Sequence, residues 1–188
     1  MNASQIIYYG GSFNPPHIAH LLFAVALRAY FPNAEILIAP TYCHAFQKAL
    51  MAYDLRIAML HAMFRDIQGV TISTLERDLH ESTSYTIDVV RALRAQYPER
   101  EILIAVGADI VPTLPQWKDY DELKKIAKFL IFPRVGYDCR EAVNIPCLPE
   151  VSSSEIREYL ERGELERVQK LVPAAVFDLL VASRGCQN

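Results

Sequence analysis

The sequence predicts an α/β fold: a doubly wound, mainly parallel sheet with helices on both faces and a small helical C-terminal part from about residue 152. Three observations carry this. Strand candidates alternate with helix candidates almost to the end, the order that builds a parallel sheet through right-handed crossovers. The run Ile102-Leu103-Ile104-Ala105-Val106 is apolar without interruption, which suits a central parallel strand buried on both faces. Two segments, Gly10-Gly11 and Gly107-Ala108-Asp109, fall at the carboxyl ends of strand candidates, where open α/β sheets bind ligands. No linker or internal repeat is visible, so residues 1–188 read as one domain.

The elements follow in order. Ile6 to Tyr9 is a short apolar strand that gives out at Gly10. Ile18 to Tyr30 is a long apolar segment and reads as a helix. Glu35 to Ala39 is a second strand, stopped by Pro40, and Thr41 to Ala52 is a loop or lid. Tyr53 to Asp66 carries Leu55, Ala58, Met59, Ala62 and Met63 at helical spacing. Val70 to Leu75 reads as a short strand. Thr86 to Tyr97 is a helix with Ile87, Val90, Leu93 and Tyr97 inward, closed by Pro98. After the central strand, Asp119 to Lys128 is a polar-faced helix and Phe129 to Phe132 a further buried strand. Helical pieces begin near Ser152, Glu164 and Pro173.

Composition narrows the function. At 188 residues and 52% hydrophobic, the chain can bury a full core. A net charge of −3 gives no general pull toward nucleic acid. No uncharged stretch reaches the length of a bilayer span, and the N-terminus lacks the basic and apolar regions of a signal peptide, so no membrane role and a cytoplasmic location are expected. The four cysteines, Cys43, Cys139, Cys147 and Cys186, form no C-x-x-C pair, which argues against structural zinc and for reduced thiols. A homo-oligomer is compatible with the sequence.

The most informative stretch is Tyr8-Tyr9-Gly10-Gly11-Ser12-Phe13-Asn14-Pro15-Pro16-His17-Ile18-Ala19-His20. It reads as strand, tight turn, then helix. Glycine admits a sharp turn and a close ligand. His17 and His20 are spaced to share one face of the first helical turn, where free N–H groups favour an anion. An ordinary Gly-Gly turn beside surface histidines would look the same. No Gly-Lys-Ser/Thr follows, so this is no Walker loop, and the three-glycine dinucleotide spacing is absent. A second anion signal is Val151-Ser152-Ser153-Ser154-Glu155-Ile156-Arg157. Ser152 and Glu155 have capping-box spacing, and Arg157 follows one turn in. A plain capped helix with a surface arginine is the alternative; two cradles on one crevice would suit a triphosphate.

These residues resemble a known family. The stretch from Gly10 to His20 is similar to the signature of nucleotidyltransferases with an H-x-G-H motif, and Val151 to Arg157 is similar to their I-S-S-T-x-I-R motif. Within that superfamily the chain resembles the bacterial nicotinate-nucleotide adenylyltransferases. Glu81-Ser82-Thr83-Ser84-Tyr85-Thr86, Gly107-Ala108-Asp109, Leu114-Pro115-Gln116-Trp117-Lys118 and Arg134-Val135-Gly136-Tyr137 stand in the family's order. Departures are Ala19 for the motif glycine, Asn14 for the commoner Asp, Val135 for a proline, and Cys43-His44-Ala45 for Pro-His-Lys, with Lys48 further on.

The resemblance implies a Rossmann-like sheet and a reaction: nicotinate mononucleotide plus ATP gives deamido-NAD and pyrophosphate, with Mg²⁺ bridging phosphate oxygens. His17 and His20 would donate to the ATP phosphates, and Ser153, Ser154 and Arg157 would hold the β- and γ-phosphates. Gly10, Gly11, Ser12 and Phe13 would wall the nucleotide site. Gly107 and Asp109 would lie at the ribose, Arg134 would contact ATP, and Lys48 would close over the phosphates. Trp117 would lie beside the pyridine ring, with Tyr85 and Thr86 in the same pocket. No side-chain metal ligand is assigned. Trp117, the only tryptophan, would equally serve as a core or rim aromatic, and Tyr85 as packing. The alternatives are transfer to nicotinamide mononucleotide, or a nucleotide-binding sensor without turnover. His44, His61 and His80 show no partner pattern and read as solvated or structural.

Overall fold

The computed structural model describes residues 4–43, 49–79, 83, 85–137, 140, 142–143 and 147–185. Strands β1 (Gln5–Gly11), β2 (Glu35–Pro40), β3 (Val70–Ile72), β4 (Glu101–Gly107) and β5 (Lys128–Phe132) form one parallel sheet in the order β3-β2-β1-β4-β5. The helices are α1 (Ile18–Tyr30), α2 (Tyr53–Phe64), α3 (Leu75–Leu79), α4 (Thr86–Gln96), α5 (Tyr120–Ile126), α6 (Ser153–Arg162), α7 (Leu165–Leu171) and α8 (Ala174–Gly185). A 3-10 helix spans Val111–Gln116.

The strand period of two sorts the core into two layers. Ile7, Tyr9, Ile36 and Ile38 face the layer that holds Phe23 and Leu27 of α1, Met59 of α2, Ile156 of α6 and Leu180 of α8. Ile6, Tyr8, Leu37 and Ile104 face the opposite layer, with Ile87, Val90 and Leu93 of α4 and Leu123 of α5. Every residue from Ile102 to Val106 is buried, as its unbroken apolar run requires. Strand order reverses between β1 and β4, where Tyr8 pairs with Ile104. Their carboxyl ends, Gly10-Gly11 and Gly107, therefore flank the crevice of the topological switch point.

The expected third strand is too long. It ends at Ile72, and Leu75 opens α3. Ser73 and Thr74 turn the chain: Leu75 N–H donates to Ser73 Oγ at 3.2 Å, and Thr74 Oγ1 donates to Asp78 at 2.8 Å. Such hydroxyl bonds favour a helix start over a continued ladder. The 3-10 helix, which contains Pro112 and Pro115, lies where the sequence predicts no element.

The C-terminal helices begin at α6. Ser152 Oγ caps α6 by accepting from Glu155 N–H at 3.1 Å, and Gly163 ends it with φ 73°. α8 then packs on α2 through the layer shared with α1.

Candidate active site

Between the carboxyl ends of β1 and β4 lies a cleft of about 510 Å³. One wall is the turn from Gly10 to Phe13 with His17 and His20. The other carries Thr86, Ile110 and Trp117, and Gly107, Asp109 and Arg134 close the end.

The turn is held from below. Phe13 takes φ 43°, rare for an aromatic residue and costing about 1–3 kcal/mol. Its ring, 1% exposed, packs edge-on to Tyr9 at 5.3 Å and against His20 at 4.8 Å. That burial offsets the strain and turns the chain under the cleft. Arg56 on α2, 1% exposed, donates from Nη1 to Ser12 O and from Nε to Met51 O, both at 3.0 Å. Buried Asn14 donates from Nδ2 to Ala49 O at 3.2 Å and accepts from Met51 N–H at 2.8 Å. An aspartate could not make the first bond, so the departure at Asn14 has a local physical reason. Gly10 allows close packing: a Cβ there would lie 2.6 Å from the Tyr8 hydroxyl, which donates to buried Glu76 at 2.7 Å. A Cβ on Gly107 would strike the Asp109 carboxylate, which accepts from Arg134 Nε at 3.2 Å.

His17 is the N-cap of α1, in extended conformation. Its ring stacks on His20 with centroids 3.7 Å apart. Burial, helped by Arg134, pushes His17 down to about 3. Burial, then His17 and Arg134, holds His20 well below the usual imidazole value. Both rings are therefore neutral at pH 7. His20 Nδ1 accepts from His17 N–H at 3.1 Å, which places the His20 proton on Nε2 as a free donor. His17 Nδ1 is buried and has no hydrogen-bond partner among the described residues, a cost of about 1–3 kcal/mol that a ligand would remove. Ala19, 3% exposed, belongs to the core cluster beneath and also touches the cleft.

The start of α6 abuts this turn. Ser153 Oγ donates to Pro15 O at 2.9 Å. Arg157 donates from Nη1 to Asn14 O at 2.7 Å and from Nη2 to Ser154 Oγ at 3.0 Å. These three residues stand behind and beside the histidine turn and do not line the cleft itself.

On the other wall, Thr86 opens α4 and lines the cleft, whereas Tyr85, its N-cap, does not. The Tyr85 ring instead carries the Lys118 ammonium at 4.6 Å. Trp117 is half-buried and edge-on to Phe129 at 6.3 Å. Lys48, like His44 and His80, lies outside the described residues. His61 is exposed. Of the four cysteines, Cys43 and Cys147 are described, Cys43 half-buried and Cys147 exposed. Glu76, Thr113 and Gln116 also line the cleft. The sequence assigned none of them a role, although Gln116 stands in the flagged Leu114-to-Lys118 stretch and Thr113 just before it. Among the described residues no group of three or more His, Cys, Asp or Glu could hold a metal ion. The cleft's carboxylates, Asp109 and Glu76, are already engaged by Arg134 and by Tyr8. Such a donor set fits a divalent cation held chiefly by phosphate oxygens and water.

A parallel sheet with a glycine turn, paired imidazoles and a second helix start at its switch point is the layout of a nucleotide-binding transferase. The chain matches the cytidylyltransferase-like family over residues 8–159 and belongs to it. Its relatives are more specific. A Myxococcus xanthus (strain DK1622) protein named probable nicotinate-nucleotide adenylyltransferase is 35% identical over 92% of this chain and 89% of its own. A Streptococcus mutans protein of the same name is 33% identical over 95% of this chain and 87% of its own. The solved structure of Plasmodium falciparum nicotinic acid mononucleotide adenylyltransferase complexed with NaAD shares the fold, with TM-score 0.83, 21% identity and 96% of each chain covered. No described helix is long and apolar enough to cross a membrane.

Proposed function

We propose that this chain transfers the adenylyl group of ATP to nicotinate mononucleotide, giving deamido-NAD and pyrophosphate in the cytoplasm as a step of NAD biosynthesis. The observation that carries the reading is the meeting of two helix starts. α6 docks its Ser153 and Arg157 onto the carbonyls of Pro15 and Asn14, directly before His17 opens α1. A relative 35% identical over 92% of the chain bears the corresponding name.

A phosphate oxygen of the mononucleotide attacks the α-phosphorus of ATP in line. The bond to the bridging oxygen breaks, and pyrophosphate leaves with its electron pair. The nucleophile is already ionised near neutrality, so no side-chain base is required, and catalysis rests on positioning and on charge at the leaving group. Gly10, Gly11, Ser12 and Phe13 form the wall along which the nucleotide lies. The His20 Nε2–H donates to the phosphate oxygens as charge moves toward the leaving group. His17 presents its second nitrogen to the same chain of phosphates. Ser153, Ser154 and Arg157 exchange some of their carbonyl and hydroxyl partners for β- and γ-phosphate oxygens. Gly107 admits the sugar closely, Asp109 accepts from a ribose hydroxyl, and Arg134, beside both histidines, contacts ATP. Trp117 stacks on the pyridine ring, with Thr86 and the α4 N–H groups on the nicotinate carboxylate and Tyr85 behind them. A divalent cation such as Mg²⁺ would be held chiefly by phosphate oxygens and water, with Asp109 a side-chain oxygen of the cleft that could reach it, and would supply neutralisation of charge on the leaving pyrophosphate.

The test is pyrophosphate release and product mass with ATP, Mg²⁺ and either mononucleotide. Faster turnover of nicotinate mononucleotide supports the reading. Equal or better use of nicotinamide mononucleotide overturns the choice of substrate. ATP binding with no release by folded protein reassigns the chain as a nucleotide sensor.

A further inference from the structure

Trp117 lines two hollows: the cleft, and a shallower depression outside it formed by Pro115, Asp119, Tyr120 and Glu122. Its indole is thus a partition between them. A partition of this kind is placed by its backbone, and the residues after it are tied down in an unusual way. Asp119 is the N-cap of α5 and takes φ 52°, a left-handed conformation tolerated by Asp but unfavourable. An N-cap aspartate normally accepts from the first turn of its own helix. Asp119 makes no such bond. Its carboxylate instead accepts from Arg91 Nη2 on α4 at 3.1 Å. Arg91 also forks onto Glu122 of α5, from Nε at 2.9 Å and from Nη2. Lys118, next to Trp117, donates to Asp88 of α4 at 3.0 Å while lying over the Tyr85 ring. The helix that receives these ties, α4, begins at Thr86 on the cleft wall.

We propose that Arg91, outside the cleft, is the positioning residue that sets the gap between Trp117 and the start of α4, and so sets affinity for the mononucleotide. This deepens the proposed function and rests on it. Isolated surface ion pairs contribute little, but here one guanidinium spans Asp88, Asp119 and Glu122 and fixes a strained residue beside the indole. Lysine cannot reproduce that fork.

The test uses Arg91→Met and Arg91→Lys. Trp117 is the only tryptophan, so quenching of its fluorescence by acrylamide reads its exposure without any ligand. The clamp predicts that Arg91→Met raises KM for the mononucleotide by about 3- to 10-fold, while kcat and the KM for ATP stay near wild type, because binding of one substrate is lost equally in the ground and transition states. Quenching should rise in the same variant, with Arg91→Lys intermediate. Raising salt to about 1 M, where the screening length is about 3 Å, should raise quenching in wild type and leave Arg91→Met unmoved. Unchanged mononucleotide KM with unchanged quenching would overturn the proposal. So would equal loss on both substrates, which marks general damage. If wild type turns over neither mononucleotide, the reaction proposed above fails, and quenching alone then decides for or against the clamp.

Discussion

Arg157 Nη1 donates to the carbonyl oxygen of Asn14 at 2.7 Å, joining residues 143 positions apart. Each stands at the approach to a helix start, Asn14 before α1 and Arg157 in the first turns of α6, and Ser153 reinforces the joint through Pro15. Arg157→Ala should therefore lose about 1.5–3 kcal/mol of stability with the charge-assisted bond, in chemical denaturation, and lose turnover as well. Arg157→Lys should recover most of the stability and little of the turnover, since one ammonium cannot hold Asn14 and Ser154 together. Full activity in Arg157→Lys would remove the fork from the mechanism.

His20→Ala deletes the one donor whose tautomer the structure defines. Loss of one preorganised donor to a developing charge costs about 10²–10³ in kcat. Circular dichroism should stay native, because the remaining ring contacts of Phe13 with Tyr9 persist. Turnover within a few-fold of wild type would exclude His20 from the reaction.

The buried imidazoles also set a pH dependence. Both are held neutral, so the folded protein binds their protons less readily than the unfolded chain, in which histidine titrates near about 6.5. Below that pH the unfolded state takes up more protons. Stability is thus complete above about pH 6.5 and falls as pH drops toward the folded value of His17, about 3, at up to about 1.4 kcal/mol per pH unit for each ring. Denaturant titrations at pH 7.5 and 5 should show this loss in wild type and a smaller one in a His17→Gln, His20→Gln double variant. Equal loss in both proteins would assign the pH dependence elsewhere.

Asn14→Asp restores the commoner family residue and should nevertheless destabilise this chain. It replaces the Nδ2 donor facing Ala49 O with a carboxylate oxygen, in a side chain that is 1% exposed. An unpaired buried acceptor costs about 1–3 kcal/mol. A denaturation midpoint equal to wild type would show that the Ala49 bond contributes nothing.

The fold was legible where hydrophobic period and punctuation agreed. The unbroken Ile102–Val106 run became the buried centre of the sheet, and Ser152 with Glu155 marked the true start of α6. Where polar side chains redirected the backbone, the pattern misled: Ser73 and Thr74 cut β3 short and opened α3. The motifs that flanked the cleft were readable because glycine, histidine and arginine sit at strand ends and helix starts. What supports them was not. Buried Arg56 holds Ser12 from α2, and Glu76 receives the Tyr8 hydroxyl from α3, through bonds between residues 44 and 68 positions apart that no local pattern records. The same holds for Tyr85, which stands next to the cleft-lining Thr86 yet turns its ring to Lys118.

The most direct measurement is a double-mutant cycle on ATP binding with His20→Ala and Arg157→Ala, read by calorimetry with Mg²⁺. If both helix starts grip one triphosphate, each variant weakens ATP binding and the pair is non-additive by about 0.5–3 kcal/mol. Wild-type ATP affinity in Arg157→Ala, or strict additivity of the two losses, would contradict the shared grip.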